Sequence, residues 1–514
     1  MKLDAVGLEV MALAFASIAE EMGLVLVRSA LSPNIRERRD CSAALFDADG
    51  EMIAQAAHIP VHLGAMTDSV AAIRALAPAP GDVFILNDPY AGGSHLPDVT
   101  LIEALAVEGA IGGYSAVRAH HSDVGGSQPG SMPVGARTIE EEGVILAPTR
   151  LTPEVERFFL AHVRTAETRR GDLAAQRAAA ARGGDGLRAL VTRYGGPAVR
   201  AAARDLIGYA ARRTRAALSN IARTGLAATD WLEGDGVDEM DLPITVRVDI
   251  QEGVFSADFA GTAPAARGNV NCPLAVTRSA VLFVVRTLLP EDIPTNAGVQ
   301  KTVRVVAPEG CLVNARYPSA VAAGNVETSQ RIVDTVFLAL ARGGLPVPAQ
   351  GQGTMNNVTL GEEGRGKGEG WTYYETIGGG QGASRGAAGP SAVHVGMSNT
   401  RNTPIEVLEM ELPLRVRTYA VRRDSGGAGK WAGGEGVIRE FEALAPMEAN
   451  VVSERRRHAP SGAAGGKPGA PGRNTLNGTP LAPKAHARLA PGDVLRIKTP
   501  GGGGWGEPET GGGR

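Results

Sequence analysis

The sequence has few cysteines, few aromatic residues and no surplus of charge of either sign. Three cysteines stand far apart among 514 residues, at positions 41, 272 and 311. No two of them form a CxxC pair, which argues against both a disulfide framework and a cysteine zinc ribbon. A few scattered cysteines are typical of a reducing compartment, so we expect a cytoplasmic protein.

The charge balance and the hydropathy argue against two classes of partner. Lys and Arg total 52 against 55 Asp and Glu, so there is no basic surplus to neutralise nucleic-acid phosphates. No stretch approaches the roughly 20 apolar residues that span a bilayer, and four acidic residues interrupt the apolar N-terminal region. We therefore expect neither a nucleic-acid partner nor a membrane partner.

Glycine is abundant, with 68 residues, and two glycine runs (378–384 and 501–506) invite comparison with phosphate-binding loops. Neither run is followed by Gly-Lys-Ser/Thr, and neither lies between a strand and a helix as G-x-G-x-x-G. We interpret them as tight turns with closely packed backbones. The sequence also lacks a GxSxG elbow, and no cysteine has a local catalytic partner, so covalent enzyme catalysis is not favoured.

The pattern of apolar residues predicts an α+β fold of several subdomains, with mixed sheets, a helical insertion and many Gly-rich loops. Apolar spacing predicts an opening helix within residues 5–31 and a hairpin over 41–55 that turns at Asp49-Gly50. Helices are predicted from Thr152-Pro153 onward, with breaks at the glycine pairs 183–184 and 195–196. We expect four regions: a metal-binding region (1–150), a helical region (151–235), a β-rich region (236–450) and a C-terminal segment (451–514), loosely packed near 459–473.

Acidic and histidine side chains cluster near residues 40–123. His95 and Asp98 lie three residues apart in a loop stiffened by Pro97, His120 and His121 follow a further strand pair with Asp123 close behind, and Asp40 precedes a strand. Two His and two Asp form a mixed N/O ligand set suited to Zn²⁺, Mn²⁺ or Fe²⁺. Spacing alone leaves open that the histidines are core residues and the aspartates cap turns. Against that interpretation, five of the nine histidines fall between positions 58 and 121.

Four further residues in this region are candidates for proton transfer. His58 and His62 flank Pro60, which favours a turn leading into a helix over a regular helix. His121 and Asp123 follow His120 directly. Each of them can exchange protons with a substrate near the metal, or can simply stabilise a loop.

Twelve segments in order, from about residue 36 to 506, closely resemble the hydantoinase B/oxoprolinase B family. They include RRDCSAALFD, HIPVHLGAM, NDPYAGGSHLPDVT, HHSDVGG, GNVETSQRIVD, YYETIGGGQGA, SNTRNTPIEVLE and TPGGGGWG. The family supplies B-type subunits of 5-oxoprolinases, N-methylhydantoinases and caprolactamases, and its relatives include the large subunits of acetone-type carboxylases. The resemblance implies an A-type partner that uses ATP to phosphorylate the carbonyl oxygen of a cyclic amide, and hence a hetero-oligomer.

The resemblance also assigns roles to single residues. It places the metal ligands at Asp40, His95, Asp98 and His120, in preference to His121, and it implies one divalent ion, with zinc or manganese favoured. His121, Asp123, His58 and His62 remain the unranked candidates for proton transfer. Two other interpretations stay open: a large subunit of an acetone-type carboxylase, with a similar metal site, and a non-catalytic scaffold that stabilises the A-type partner.

Overall fold

The computed structural model describes residues 4–363 and 370–508, in which helices pack against four β-sheets and confirm the α+β prediction. The α-helices are α1 (Ala5–Ser29), α2 (Pro33–Arg36), α3 (Ala65–Arg74), α4 (Pro153–His162), α5 (Ala166–Tyr194), α6 (Gly196–Asn220), α7 (Leu274–Leu288), α8 (Ala297–Gln300), α9 (Ser329–Arg342) and α10 (Ile405–Glu411). A 3₁₀ turn (Pro60–His62) precedes α3, and a π-helical turn (Gly324–Thr328) precedes α9.

The strands that form the first two sheets are β1 (Cys41–Asp47), β2 (Met52–Ala57), β3 (Val83–Leu86), β4 (Asp98–Val107), β5 (Ala110–His120), β6 (Thr149–Arg150), β7 (Arg223–Glu233), β8 (Asp241–Gln251), β9 (Val254–Asp258) and β10 (Val303–Val306). The first sheet has the order β2-β1-β5-β4-β3-β6 and the second β10-β9-β8-β7. The predicted hairpin is confirmed, because β1 and β2 pair antiparallel across the turn.

The other two sheets are built from β11 (Asn357–Glu362), β12 (Trp371–Glu375), β13 (Leu414–Arg422), β14 (Gly436–Ala443), β15 (Met447–Val452), β16 (Arg473–Leu476), β17 (Thr479–Leu481), β18 (Lys484–Leu489) and β19 (Val494–Lys498). Their orders are β12-β11-β15-β18 and β13-β14-β19-β16-β17. Apolar residues of both sheets share one core. Strand β7 pairs with β8 across the expected boundary at 235, and β15, which pairs with β11, spans the boundary at 451. The division into four regions stays a prediction.

Both faces of the first sheet are buried under helices, and α6 contributes to both cores. One face packs against α1, α5 and α6 through residues such as Leu45, Val117 and Ala119. The opposite face packs against α3 through Phe46, Ala116 and other residues. Because successive residues of a strand point to opposite faces, neighbouring positions on β5 enter different surroundings.

The opening helix corrects one expectation from composition. Helix α1 is long and apolar enough to cross a membrane, with a mean hydropathy of 1.9 in its most apolar window, of which 39% is buried. The acidic residues that interrupt the sequence therefore do not prevent such a window. In this fold Phe15, Ile18, Met22 and Leu26 lie in the core that α1 shares with α5 and α6.

The predicted helical region contains α4 to α6, and α4 begins after Thr152, whose side chain caps it as expected. The predicted break at Gly195-Gly196 is confirmed, whereas the break at Gly183-Gly184 is wrong, since both residues lie inside α5. A Cβ atom at Gly183 would lie 2.8 Å from Met22 Sδ and 2.9 Å from Ser115 Cβ. Glycine here allows α5 to approach α1 and the sheet closely, and the sequence pattern alone does not reveal this.

The glycine runs pack as expected, backbone against backbone. A Cβ atom at Gly380 would lie 2.0 Å from the carbonyl oxygen of Gly434, and one at Gly502 would lie 2.1 Å from that of Gln381. Segment 459–473 joins this packing, because Ala463 N donates to Gly504 O (2.9 Å) and several neighbours bond likewise. The expectation of a loosely packed segment is therefore wrong: its small residues allow close packing.

Candidate metal centre

Three adjacent strand ends bring together Asp40, His120 and Asp98. Asp98 is the first residue of β4 and stands opposite His120, the last residue of β5. On the other side of β5, His120 N donates to the carbonyl oxygen of Asp40, which directly precedes β1 (3.0 Å). Side chains opposite each other on neighbouring strands are close, so the sheet register itself assembles these residues.

His95 reaches the same place from the loop between β3 and β4. Asn87 fixes this loop, since its Nδ2 donates to the carbonyl oxygens of Leu96 and Val144, both at 2.9 Å, and its Oδ1 accepts from Leu146 N (2.7 Å). The Asp98 N–H donates to the His95 carbonyl oxygen (3.0 Å), which closes the turn around Pro97. His95 is fully buried.

Three donor atoms form a nearly equilateral triangle. His95 Nε2 lies 3.3 Å from His120 Nδ1 and 3.3 Å from Asp98 Oδ1, and His120 Nδ1 lies 3.4 Å from Asp98 Oδ1. Donors about 2.0–2.1 Å from one ion at tetrahedral angles would be about 3.3–3.4 Å apart. The buried His-Asp-His cluster thus has the spacing and the chemistry of a divalent-metal site.

The electrostatics of the cluster suit a cation. Burial alone would raise the pKa of Asp98, but the neighbouring rings of His95, His62 and His120 hold it well below its usual range. Burial lowers the pKa of His95, against the attraction of Asp98. Asp98 is therefore a carboxylate and His95 a neutral ring at pH 7, which are the forms that bind metals.

Several side chains orient the ligand candidates. Ser94 Oγ donates to Asp98 Oδ2 (2.6 Å), and His62 Nε2 lies 3.4 Å from the same oxygen. The other ring nitrogen of His62 lies 2.9 Å from Ser42 Oγ. The ring of Tyr374 stacks on His120 with centroids 4.5 Å apart. These contacts fix the ring planes and leave the triangle of donors facing inward.

A narrow cavity of about 10 Å³, enough for about one water molecule, lies beside the cluster. Its lining joins the predicted region to distant segments: Asp40, Ile59, Val61, His62, Asp98, His120, Asn325, Val326, Met355, Tyr374, Thr376, Ser398 and Thr400. Asp40 lies on this wall and is not among the three residues whose donors lie within 4.8 Å of one another. Asp40, the fourth predicted ligand, therefore lines the same cavity, but it does not belong to the group of three close donor residues.

Of the four proton-transfer candidates, His62 alone belongs to the cavity lining. His58 packs near α1, with Nδ1 3.6 Å from Cys41 Sγ. His121 is on the opposite face of the strand end from His120, 2.9 Å from Gln176 of α5, and burial lowers its pKa to about 4. Strand alternation separates the two adjacent histidines.

Asp123 has a structural environment away from the cavity. Its Oδ1 accepts from Gly125 N (2.8 Å) and Arg164 N (3.0 Å), while Oδ2 accepts from Gly130 N (2.9 Å) and Arg164 Nη1 (3.1 Å). Both oxygens are fully engaged in holding the 124–131 loop to the start of α5. The geometry therefore gives Asp123 no path to a molecule in the cavity.

This placement predicts that Asp123→Ala destabilises the fold and leaves the metal site intact. Losing a buried acceptor of several N–H groups should lower the free energy of unfolding by about 1–3 kcal/mol. Urea denaturation would measure the loss, and elemental analysis should find an unchanged metal-to-protein ratio. A variant that keeps full stability but loses its metal would contradict the assignment.

Sequence reasoning did not single out the cavity residues that come from beyond position 320. Asn325 Nδ2 lies 3.5 Å from Asp98 Oδ2, and Tyr374, Thr376, Ser398 and Thr400 form the far wall. All of them fall within segments that carried the family resemblance: GNVETSQRIVD, YYETIGGGQGA and SNTRNTPIEVLE. The resemblance marked these segments, but only the fold shows which of their side chains meet the cluster.

Comparison with known proteins supports the same interpretation over nearly the whole chain. The sequence profile of the hydantoinase B/oxoprolinase family matches residues 4–508. 5-Oxoprolinase 1 of Arabidopsis thaliana is 37% identical over 98% of this chain, which spans 42% of that protein. A Pseudomonas protein, provisionally named as the B-type subunit of a D-/L-hydantoinase, is 30% identical over 99% of this chain and 90% of its own length.

Solved structures agree with this picture. The ATP-dependent caprolactamase from Pseudomonas jessenii superposes with a TM-score of 0.90 at 28% identity, covering 99% of this chain and 92% of that one. A nucleotide-free acetone carboxylase shares the fold, with a TM-score of 0.86 at 17% identity over 98% of this chain and 75% of that one. The chain belongs to the hydantoinase B/oxoprolinase family.

Proposed function

We propose that this chain is the metal-dependent B-type subunit of an ATP-dependent cyclic-amide hydrolase. The substrate class is a 5-oxoproline, hydantoin or other lactam ring that an A-type partner phosphorylates on its carbonyl oxygen. The observation that carries the proposal is the buried triangle of His95, Asp98 and His120 beside a cavity. Relatives named as 5-oxoprolinases and as a hydantoinase support the substrate class.

The residues present fit a divalent ion. The donor triangle offers two imidazole nitrogens and a carboxylate oxygen, and the carboxylate of Asp40 stands on the adjoining wall. His62 Nε2 is buried on the cavity wall without a hydrogen-bond partner among the described residues, as expected where an ion or a bound molecule completes a polar site. A divalent ion held there would act as a Lewis acid and lower the pKa of a water molecule towards about 7.

The steps of ring opening follow from the bonds that form and break in the lactam. A lactam carbonyl is a poor electrophile, because attack must break amide resonance. Transfer of the γ-phosphoryl group of ATP to the carbonyl oxygen activates the carbon, water adds there, and the C–N bond breaks. Release of phosphate with a second water gives the open amino acid, ADP and inorganic phosphate. His62 Nε2 is placed to take or return a proton at the cavity.

The division of labour follows from the absence of a phosphate-binding loop motif in the sequence. Neither glycine run has the lysine and hydroxyl residue of such a loop, and both pack backbone against backbone. We propose that ATP binds to an A-type partner and that the two chains form a hetero-oligomer in the cytoplasm. The 5-oxoprolinases of which this chain spans about two fifths are long enough to hold such a partner in one polypeptide.

The proposal is tested by purifying the chain with a neighbouring A-type subunit and screening cyclic amides. We expect ring-opened product, ADP and inorganic phosphate to form together with at least one lactam or hydantoin. No ring opening with any cyclic amide, under conditions where the partner hydrolyses ATP, would contradict the proposal. The isolated chain is a built-in control and should open no ring.

The shared fold with acetone carboxylase keeps a second function in view. A carboxylase would join an activated enolate to CO₂ and could use a similar ligand set. Supplying labelled bicarbonate and acetone with ATP to the same purified complex separates the two functions. Label in an acid-stable product would favour the carboxylase, whereas cyclic-amide opening without label would favour the hydrolase. A scaffold without catalytic function would show neither activity.

A further inference from the structure

A buried arginine with spare hydrogen-bond donors lies directly behind the cavity wall. Arg38 is fully buried, and its Nη2 donates to Thr376 Oγ1 (2.9 Å), the Thr376 carbonyl oxygen (3.2 Å) and Thr400 Oγ1 (3.1 Å). Its Nε and Nη1 have no hydrogen-bond partner among the described residues. Burying a guanidinium without a carboxylate partner is costly, so such a group calls for a functional explanation.

Nearby acidic groups are already engaged. Glu375 accepts from Arg439 Nε (3.1 Å) and Nη2 (3.2 Å), so its charge is largely compensated by that arginine. Burial, and next the charge of Arg38, lowers the pKa of His394 to about 3, which keeps this neighbouring ring neutral at pH 7. No described carboxylate lies within ion-pairing distance of Arg38, although its charge, after that of Arg439, helps to lower the pKa of Glu375.

The whole site has an excess of positive charge once it holds a dication. Arg118 is a second buried guanidinium without an ion pair in the described part of the chain, on the same face of β5 as His120, and it donates to Thr100 and Ser69 (both 2.8 Å). Arg38 and Arg118 balance the carboxylates of Asp40 and Asp98. A divalent ion then adds two uncompensated charges, which an anionic guest would neutralise.

The wall between Arg38 and the cavity offers hydrogen-bond donors. Thr376 Oγ1 and Thr400 Oγ1 are 2.6 Å apart, and both accept from Arg38. One hydroxyl donates to the other. When Thr376 is the donor, the Thr400 hydroxyl proton can turn to His394 Nε2, 3.2 Å away, or to an acceptor in the cavity. Both threonines line the cavity, so Arg38 can act on a guest through them.

We propose that Arg38, Thr376 and Thr400 form a subsite for an anionic oxygen group of the substrate, either a carboxylate or a phosphoryl group. Arg38 is a positioning residue: it polarises the two hydroxyls and supplies the positive potential. The inference rests on the proposed function for the identity of the substrate. The binding of the anion itself can be measured on this chain alone.

The first experiment titrates the purified zinc-loaded chain with inorganic phosphate and, separately, with acetate by calorimetry. Arg38→Gln should weaken binding of the preferred anion by about 10- to 100-fold. Arg38→Lys should restore most of this loss, because the charge remains. Arg36→Gln is the matched control, since this nearby arginine is exposed and pairs with Glu37 at the surface, and it should bind like the unmodified chain.

The second experiment identifies the source of the negative charge with the full complex. 5-Oxoproline carries a carboxylate that 2-pyrrolidinone lacks, while both acquire the same phosphoryl group. If Arg38 binds the carboxylate, Arg38→Gln lowers kcat/KM for 5-oxoproline alone and removes the preference for it. If Arg38 binds the phosphoryl group, kcat/KM falls for both lactams by a similar factor. A purely structural role would also lower kcat/KM for both lactams, but Arg38→Lys would then not restore it, whereas it should restore most of kcat/KM if Arg38 acts through its charge.

Two controls keep the test decisive. Metal content and melting temperature are measured for every variant, and if Arg38→Gln does not fold, Thr400→Val takes its place with an expected loss of about 3-fold or more. Wild-type binding of neither anion, or binding by the folded variant within about 2-fold of wild type, would overturn the subsite. Failure of the complex to open any lactam would instead contradict the proposed function. The anion titration of the chain alone would still test the subsite.

Discussion

His95→Ala is expected to remove most of the bound metal and to lower coupled ring opening by orders of magnitude. The substitution deletes one corner of the donor triangle, whose Nε2 lies 3.3 Å from both Asp98 Oδ1 and His120 Nδ1. Half of the imidazole ligation is lost, and the activation of water depends on the ion. Elemental analysis of the purified chain measures the metal, and an assay with the A-type partner measures turnover. Binding of the partner should persist.

His121→Ala is the matched control for this prediction. His121 is as deeply buried as His95 and directly follows His120, but it lies on the opposite face, against Gln176 and Phe159. We expect the control to lose stability and to keep the metal ratio of the wild type. If His121→Ala loses the metal and His95→Ala keeps it, the assignment of the site is wrong.

Glu454→Ala is expected to cause the largest loss of stability. Its carboxylate accepts from Arg331 Nη2 (3.1 Å), from Lys484 Nζ and from Glu233 N (3.1 Å to Oε2), and all three side chains are buried. Its removal would leave two buried cations with fewer partners where the second and third sheets meet α9. Breaking a buried ion pair from one side costs about 3–5 kcal/mol, and urea denaturation would measure it.

An exposed ion pair provides the control. Glu167 and Arg170 pair at 3.4 Å on the surface of α5, with more than half of each side chain exposed. Exposed pairs contribute little, so Glu167→Ala should change the free energy of unfolding by less than about 1 kcal/mol. Equal losses of unfolding free energy in the two variants would show that the buried ion pairs of Glu454 stabilise the fold no more than an exposed pair does.

Local sequence signals predicted the local structure. The hairpin at Asp49-Gly50 and the start of α4 at Thr152-Pro153 depend on turn and capping residues that neighbours in the chain determine. The predicted break at Gly183-Gly184 is wrong, because these small residues make room for Met22 and Ser115 from distant elements. A pattern of glycines does not distinguish a helix end from a close helix contact.

The candidate site was predictable in part, because some of its residues are close neighbours in the chain. His95 and Asp98 share one loop, and the sheet register brings in His120 and Asp40. The family resemblance preferred His120 over His121, and strand alternation explains why the two rings have different surroundings. Arg38 and the two threonines were beyond reach, since their contact joins positions 338 and 362 residues apart.

The central claim is that this chain opens cyclic amides only together with an ATP-using partner and its own metal site. The most direct measurement mixes 5-oxoproline and ATP with the chain alone, the partner alone, both together, and both together with the His95→Ala chain. We predict that ring-opened product and ADP rise together only in the mixture of unmodified chain and partner. Ring opening by the chain alone without ATP, or full coupled activity with His95→Ala, would contradict the account.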